Sequence, residues 1–166
     1  MVSADSNRRQ AVTGCVAWIA LTFLAAGIGG AGSVDAPAFY ASLDRPVWAP
    51  PAWLFGPVWT LLYTMMGIAA CRVRLGASPE RRIALSLYAA QLAVNALWSW
   101  TFFKWQSGLA ALVTILVLDA LVIATMLRFR SSGALAVGLM GPYLGWILFA
   151  TALTIACWQR NPALLG

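Results

Sequence analysis

Five long stretches of this chain carry almost no ionisable residue, and this pattern defines the environment in which the protein folds. The stretches cover residues 10–34, 46–71, 83–103, 105–127 and 131–159. Asp119 is the only aspartate, glutamate, lysine or arginine within them. A helix of about 20 apolar residues spans the hydrocarbon core of a bilayer. Because backbone groups cannot remain unpaired in lipid, each stretch predicts a transmembrane helix.

The pattern as a whole predicts an all-α membrane protein, built as a bundle of five transmembrane helices. With 61% apolar and 10% charged residues, the chain has too little polar sequence for a separate soluble domain, so residues 1–166 form a single domain. We place the helices roughly at 11–32, 53–72, 83–103, 108–128 and 134–158. The loop 33–52 is rich in proline and aromatic residues, and we expect it to fold back onto the bundle.

Positive residues are concentrated on one side of the predicted membrane. With five crossings, the side of the N-terminus carries eight arginines, namely Arg8, Arg9, Arg72, Arg74, Arg81, Arg82, Arg128 and Arg130. The other side carries three basic residues, namely Arg45, Lys104 and Arg160. This bias predicts a cytoplasmic N-terminus and an external C-terminus. The net charge of +6 therefore indicates contact with lipid headgroups and no nucleic-acid partner.

A signal peptide is the alternative interpretation of the first uncharged stretch, residues 10–34. The length of this stretch favours a helix that is retained in the mature protein.

Histidine is absent from the sequence, which removes the commonest metal ligand and the commonest general base. Cys15, Cys71 and Cys157 lie far apart without the spacing of a metal or redox motif. We therefore expect the three cysteines to be small buried apolar residues, and we expect no metal site.

Aromatic and polar residues form stripes along three of the predicted helices. On the third helix, one stripe consists of Tyr88, Gln91, Asn95, Trp98 and Phe102. The opposite side of that helix carries Ala89, Ala93, Ala96 and Trp100, which suit close contact with another helix or a second copy. The second and fifth helices carry similar stripes, formed by Phe55, Trp59 and Tyr63 and by Tyr143, Trp146, Ala150 and Thr154. Stripes that face one lumen predict an aromatic slot for a flat apolar ligand. For Gln91 and Asn95, simple interhelical hydrogen bonding is an equally good interpretation.

Residues 40–63 read YASLDRPVWAPPAWLFGPVWTLLY. This segment resembles the signature of the TspO/MBR family, which comprises tryptophan-rich sensory proteins and translocator proteins, or peripheral benzodiazepine receptors. The resemblance continues through Gln91, Asn95, Trp98, Phe102 and Phe103 in the third helix and through Pro142, Tyr143, Trp146 and Ala150 in the fifth. It departs at Thr154, where the family usually has asparagine.

The resemblance implies a homodimer of five-helix bundles with a cavity beneath the first long loop. That cavity is expected to bind a porphyrin as ligand, with no cofactor, and in animal relatives also sterol and benzodiazepine-type drugs. The ligand-binding residues it implies are Trp48, Phe55, Trp59, Tyr63, Asn95, Trp98, Tyr143, Trp146 and Ala150. Arg45, the only arginine of the loop, is a candidate partner for a porphyrin propionate.

Three functions are consistent with these features. The leading hypothesis is a membrane receptor or transporter for tetrapyrroles. The first alternative is light- and oxygen-dependent porphyrin degradation, in which a bound, excited ring oxidises an indole such as Trp48 or Trp146. The second alternative is a scaffold that regulates tetrapyrrole metabolism. The charge bias favours an inner membrane, whereas relatives are associated with outer membranes, so the sequence leaves the compartment open.

Overall fold

A computed structural model describes the backbone from Val2 to Gly166 and the side chains from Arg9 onward. Arg8, which belongs to the predicted charge cluster, lies outside the described side chains. Throughout the described part of the chain, regular structure is helical and no strand occurs. The all-helical class predicted from the sequence is confirmed there.

Seven α-helices follow one another along the part of the chain from Val2 to Gly166. They are α1 (Val2–Gly32), α2 (Ala36–Ser42), α3 (Phe55–Leu75), α4 (Arg81–Ser99), α5 (Gly108–Phe129), α6 (Ala134–Arg160) and α7 (Pro162–Leu165). Short 3-10 turns precede α3 at Ala52–Leu54 and follow α5 at Arg130–Ser132, and a π-helical turn extends α4 over Trp100–Lys104. Helix α2 forms inside the long loop, where Pro37 occupies a first-turn position that a helix tolerates.

The five long helices form a closed ring in the order α1, α3, α6, α5 and α4. Each helix turns its buried residues toward the centre, where Met66, Leu118 and Tyr143 are fully buried. Large apolar side chains on the outer surface remain exposed, as expected where lipid is the solvent. The ring encloses two clusters of buried side chains, one in its middle and one beneath the α2 loop.

Within the described residues, four helical segments are long and apolar enough to cross a membrane. They are Arg9–Gly32, Ala52–Leu75, Gly108–Ser132 and Ala134–Arg160. Helix α4 is not among them, because it begins with Arg81 and Arg82 and carries Gln91 and Asn95 on its buried face. Length and composition therefore support four of the five predicted spans, and the fifth, which corresponds to α4, is not confirmed by these criteria.

Ion pairs show which loops share an end of the bundle. Arg128 in the last turn of α5 pairs with Glu80 before α4 at 3.1 Å, so the α3–α4 and α5–α6 connections lie together. At the other end, Lys104 pairs with Asp35 at 3.5 Å, and Arg160 pairs with Asp44 at 3.4 Å. The arginine-rich loops predicted to share a side of the membrane thus lie at one end of the bundle.

The expectation that the three cysteines are simply small buried apolar residues is wrong for two of them. Cys15 in α1 and Cys71 in α3 form a disulfide across 56 residues of sequence. The two helices are neighbours in the ring, and these positions lie side by side on them, with Cα atoms 4.6 Å apart. Only the packing of α1 on α3 creates this proximity, which sequence spacing does not reveal. Cys157 is free and buried, as expected.

Candidate ligand-binding site

The loop between α1 and α3 is held in a fixed conformation by Tyr40. The Tyr40 hydroxyl donates to the carbonyl of Pro50 at 2.9 Å, and its ring meets Phe55 edge-on at 5.3 Å. Burial raises the pKa of Tyr40, and the nearby Arg45 guanidinium, 4.6 Å from the ring centroid, acts in the opposite direction. Tyr40 therefore stays protonated at neutral pH and keeps its hydrogen bond.

Asn161, just beyond α6, fixes the other half of this loop. Its side-chain oxygen accepts from the Asp44 backbone N–H at 2.8 Å, and its side-chain N–H donates to the Asp44 carbonyl at 3.0 Å. The same amide nitrogen donates to the carbonyl of Cys157 at 2.8 Å, which ties the amide to α6. The loop, whose residues Pro37, Tyr40 and Ala52 line the cavity described next, is thereby attached to the end of α6.

A cavity of about 340 Å³ lies beneath the loop, between α1, α2, α3 and α4. Its lining consists of Ala26, Gly29, Gly30, Ser33, Ala36, Pro37, Tyr40, Ala52, Phe55, Gly56, Trp59, Tyr63, Trp98, Ser99 and Phe103. None of these side chains is charged, and six of them are aromatic. We refer to this space as the main cavity.

A second, much smaller space of about 10 Å³ lies deeper, toward α6. It is lined by Tyr40, Phe55, Trp59, Trp98, Phe102, Phe103, Trp146, Ala150, Leu153 and Thr154. We refer to it as the inner void. Thr154, the position that departs from the family pattern, thus belongs to the wall of this void.

The structure brings six of the nine sequence-predicted site residues to these two spaces. Phe55, Trp59 and Trp98 line both, Tyr63 lines the main cavity, and Trp146 and Ala150 line the inner void. The three remaining residues, Trp48, Asn95 and Tyr143, line neither space.

Asn95 and Tyr143 belong to a buried hydrogen-bond network behind the cavity wall. Tyr63 donates its hydroxyl proton to Asn95 Oδ1 at 2.6 Å, and Asn95 Nδ2 donates to the Tyr143 hydroxyl at 2.8 Å. The Tyr143 hydroxyl in turn donates to Gln91 Oε1 at 2.9 Å. The interpretation of Gln91 and Asn95 as interhelical hydrogen-bonding residues therefore describes their observed contacts, which join α3, α4 and α6.

Trp48 lies outside both spaces, on the surface of the loop. Its ring meets Phe149 of α6 edge-on at 5.7 Å, and 48% of the residue remains exposed. The loop turns between Tyr40 and Pro50, which directs this part of the chain away from the cavity. Trp48 therefore packs the loop against α6 from outside.

Sequence reasoning missed the contribution of α1 to the main cavity. The end of α1 carries several small residues, and Gly29 among them packs closely on α4, because an added Cβ would lie 3.3 Å from Ser99 Oγ. At Gly30, by contrast, an added Cβ atom would have no neighbour within 4 Å, because this residue borders the cavity. Tyr40 and Phe103 were also missed as lining residues, although both lie in segments that carry the family resemblance.

Helix α4 presents its two predicted faces as its sequence indicates. The aromatic and amide stripe is buried throughout, from Tyr88 at 0% to Trp98 at 5% relative exposure. On the opposite face, Ala89, Ala93 and Ala96 border an apolar groove shared with α1. Trp100 closes one end of this groove and donates its indole N–H to the carbonyl of Ile28 at 2.9 Å.

Known proteins resemble this chain over most of its length. The profile of the TspO/MBR family matches residues 17–159. The tryptophan-rich protein TspO of Chlorobaculum tepidum is 42% identical over 144 residues, which cover 84% of this chain and 90% of that protein. The tryptophan-rich sensory protein of Cereibacter sphaeroides is 41% identical over 124 residues (74% and 77%), and the human translocator protein is 38% identical over 126 residues (74% and 75%). With its apolar helices, the chain is a multi-pass membrane protein, and it belongs to the TspO/MBR family.

Proposed function

We propose that this protein is a membrane receptor or transporter for tetrapyrroles, and that it holds a porphyrin in the main cavity. The observation that carries this proposal is the wall of that cavity, in which Trp59, Trp98 and Phe55 converge without any charged side chain. Aromatic rings of this kind stack on flat apolar ligands. The cavity volume of about 340 Å³ lies within the range of about 300–1,000 Å³ typical of small-molecule sites.

The carboxylates of a porphyrin would stay at the mouth of the cavity. The guanidinium of Arg45 lies over the ring of Tyr40, a lining residue, at 4.6 Å from the ring centroid. A propionate at this exposed position gains little affinity from the pairing, because exposed ion pairs contribute only about 0–1 kcal/mol. Arg45 therefore orients the ligand more than it holds it.

We further propose how the chain lies in the membrane. Helix α4 completes five crossings, because it is enclosed between α1 and α5, both of which are long apolar helices. The arginine-rich end then faces the cytoplasm, which places the N-terminus there. The exposed groove of α1 and α4, with Ala89 and Ala93, is the face that we assign to a homodimer contact.

Photo-oxidative degradation of a bound porphyrin is the second candidate function. Trp59 lines the main cavity, and its ring lies 5.4 Å from that of Tyr63 and 6.2 Å from that of Tyr143. An excited porphyrin in the cavity would thus meet an oxidisable indole that is itself next to two phenols. Light supplies the excitation, and molecular oxygen is the electron acceptor of this reaction.

A porphyrin titration tests the proposal. Purified protein in detergent is titrated with protoporphyrin, and the shift of the porphyrin absorption band is followed. We expect saturable binding, weakened by Trp59→Phe and unchanged by Trp53→Phe, since Trp53 lies outside both spaces and is 71% exposed. Absence of saturable binding would contradict the proposal and favour a scaffold. If illumination of the complex in the presence of oxygen produces a new chromophore over repeated turnovers, the degradative function is established.

A further inference from the structure

Two indole N–H groups without an acceptor belong to side chains that line the inner void. They are Nε1 of Trp98 in α4 and Nε1 of Trp146 in α6, and both atoms are buried. Buried donors in folded proteins are almost always paired, because an unpaired donor loses its hydrogen bond to water without replacement. Two unpaired donors around one void indicate that an acceptor from outside the chain occupies it.

The size of the inner void limits how large the group that carries this acceptor can be. Its volume of about 10 Å³ is close to the ~10–15 Å³ that one water molecule requires. A single oxygen atom at the end of a ligand fits, whereas a whole ring does not. The void and the main cavity adjoin, since they share five lining residues, namely Tyr40, Phe55, Trp59, Trp98 and Phe103.

The absence of charged side chains around the two spaces decides whether the acceptor is a carboxylate or a neutral carbonyl oxygen. The described residues that line the two spaces include no lysine, arginine, aspartate or glutamate. A carboxylate placed there would be a buried anion without a counter-charge, which is far costlier than a buried neutral carbonyl. Two indole donors satisfy both lone pairs of a carbonyl oxygen.

We infer that Trp98 and Trp146 donate hydrogen bonds to an uncharged carbonyl oxygen at the inner edge of the ligand; this inference rests on the porphyrin-binding function proposed above. The ligand class is then a tetrapyrrole with a formyl, keto or lactam group opposite its carboxylates. The carboxylates remain at the mouth near Arg45, and the carbonyl enters the inner void.

Two porphyrins that differ only at that edge test this inference. Diformyl deuteroporphyrin carries formyl groups where mesoporphyrin carries ethyl groups, and both have the same two propionates. The affinity of each is measured for the unaltered protein and for Trp98→Phe, Trp146→Phe and Trp53→Phe. The ratio of the two affinities isolates the contribution of the carbonyl, because loss of stacking weakens both ligands alike.

We expect the preference for the formyl compound to fall about three- to tenfold in Trp98→Phe and in Trp146→Phe, as loss of one neutral hydrogen bond predicts. Trp53→Phe, a substitution of an exposed tryptophan, should keep the ratio of the unaltered protein. An unchanged ratio in both cavity variants would overturn the inference, since water alone would then occupy the void. If neither porphyrin binds the unaltered protein, the proposed function fails and the inference fails with it.

A measurement on the unaltered protein covers the case in which a variant does not fold. With ¹⁵N-labelled tryptophan, the indole N–H resonances are recorded with each porphyrin bound. We expect two indole protons to move downfield with the formyl compound relative to mesoporphyrin. Identical indole spectra in the two complexes would overturn the inference.

Discussion

The hydroxyl of Tyr63 donates to Asn95 Oδ1 at 2.6 Å, while the ring of Tyr63 forms part of the wall of the main cavity. One side chain thus connects the space for a ligand to the buried polar network of the bundle. Because Asn95 also donates to Tyr143, a displacement of Tyr63 by a ligand would affect α4 and α6 together.

Replacement of Tyr63 by phenylalanine removes the donor to Asn95 and leaves a buried oxygen unpaired. We expect Tyr63→Phe to lower the free energy of unfolding by about 1–3 kcal/mol, the usual cost of such a group. Thermal unfolding in detergent measures the change. Thr60→Val is the matched control, because it removes an exposed hydroxyl from the same helix that bonds only to the backbone of Gly56. Equal midpoints for the two variants would contradict the prediction.

Asn161 should control how fast a ligand leaves. Asn161→Ala removes both hydrogen bonds to the Asp44 backbone and frees the loop over the cavity. We expect porphyrin release, followed by stopped-flow absorbance, to become about tenfold faster, because two backbone hydrogen bonds are lost at about 0.5–1.5 kcal/mol each. Arg160→Ala, which removes only the exposed ion pair to Asp44, should change the release rate less than twofold. A similar acceleration of release by both variants would contradict the prediction, because the ion pair would then matter as much as the Asn161 hydrogen bonds.

The disulfide predicts the number of reactive thiols. The denatured, unreduced protein should react with one equivalent of a thiol reagent, at Cys157, and with three after reduction. Intact-mass spectrometry counts the adducts, and three adducts before reduction would refute the disulfide. Loss of the bond by Cys15→Ser and Cys71→Ser should cost about 2–4 kcal/mol of unfolding free energy. Cys71 directly precedes Arg72, so a confirmed disulfide would count against placing the arginine-rich end in the cytoplasm, where stable disulfides are rare.

Gly108, the first residue of α5, should tolerate no side chain. A Cβ atom at this position would overlap the indole ring of Trp158 in α6, so the ring or the helix would have to shift. We expect Gly108→Ala to destabilise the protein by about 1–3 kcal/mol, the usual cost of overpacking. Gly138→Ala is the control, because no neighbour lies within 4 Å of its added atom. That variant should be neutral or stabilising by up to about 1 kcal/mol, since alanine favours a helix. Thermal unfolding compares the two, and a Gly108→Ala protein as stable as Gly138→Ala would contradict the prediction.

The sequence by itself determined the solvent, the fold class and four of the six aromatic residues that line the main cavity. Uncharged stretches of membrane length leave the backbone no conformation but the helix, so the all-helical class follows from hydropathy alone. The stripe from Tyr88 to Phe102 follows from helical periodicity, which fixes which residues of one helix share a face. These properties are local, and for this reason the sequence predicts Trp59 and Trp98 as site residues without knowledge of how the helices pack.

Only the tertiary structure decided what depends on the relative positions of the helices. The pairing of Cys15 with Cys71 requires the contact of α1 with α3. The division of the predicted site residues between the cavity and the network requires the closed ring, which places the Asn95 amide between Tyr63 and Tyr143. Trp48 lies outside because hydrogen bonds of Tyr40 and Asn161 set the course of the loop. Periodicity assigns a residue to a face of its own helix, but contacts between segments far apart in the chain decide what that face meets.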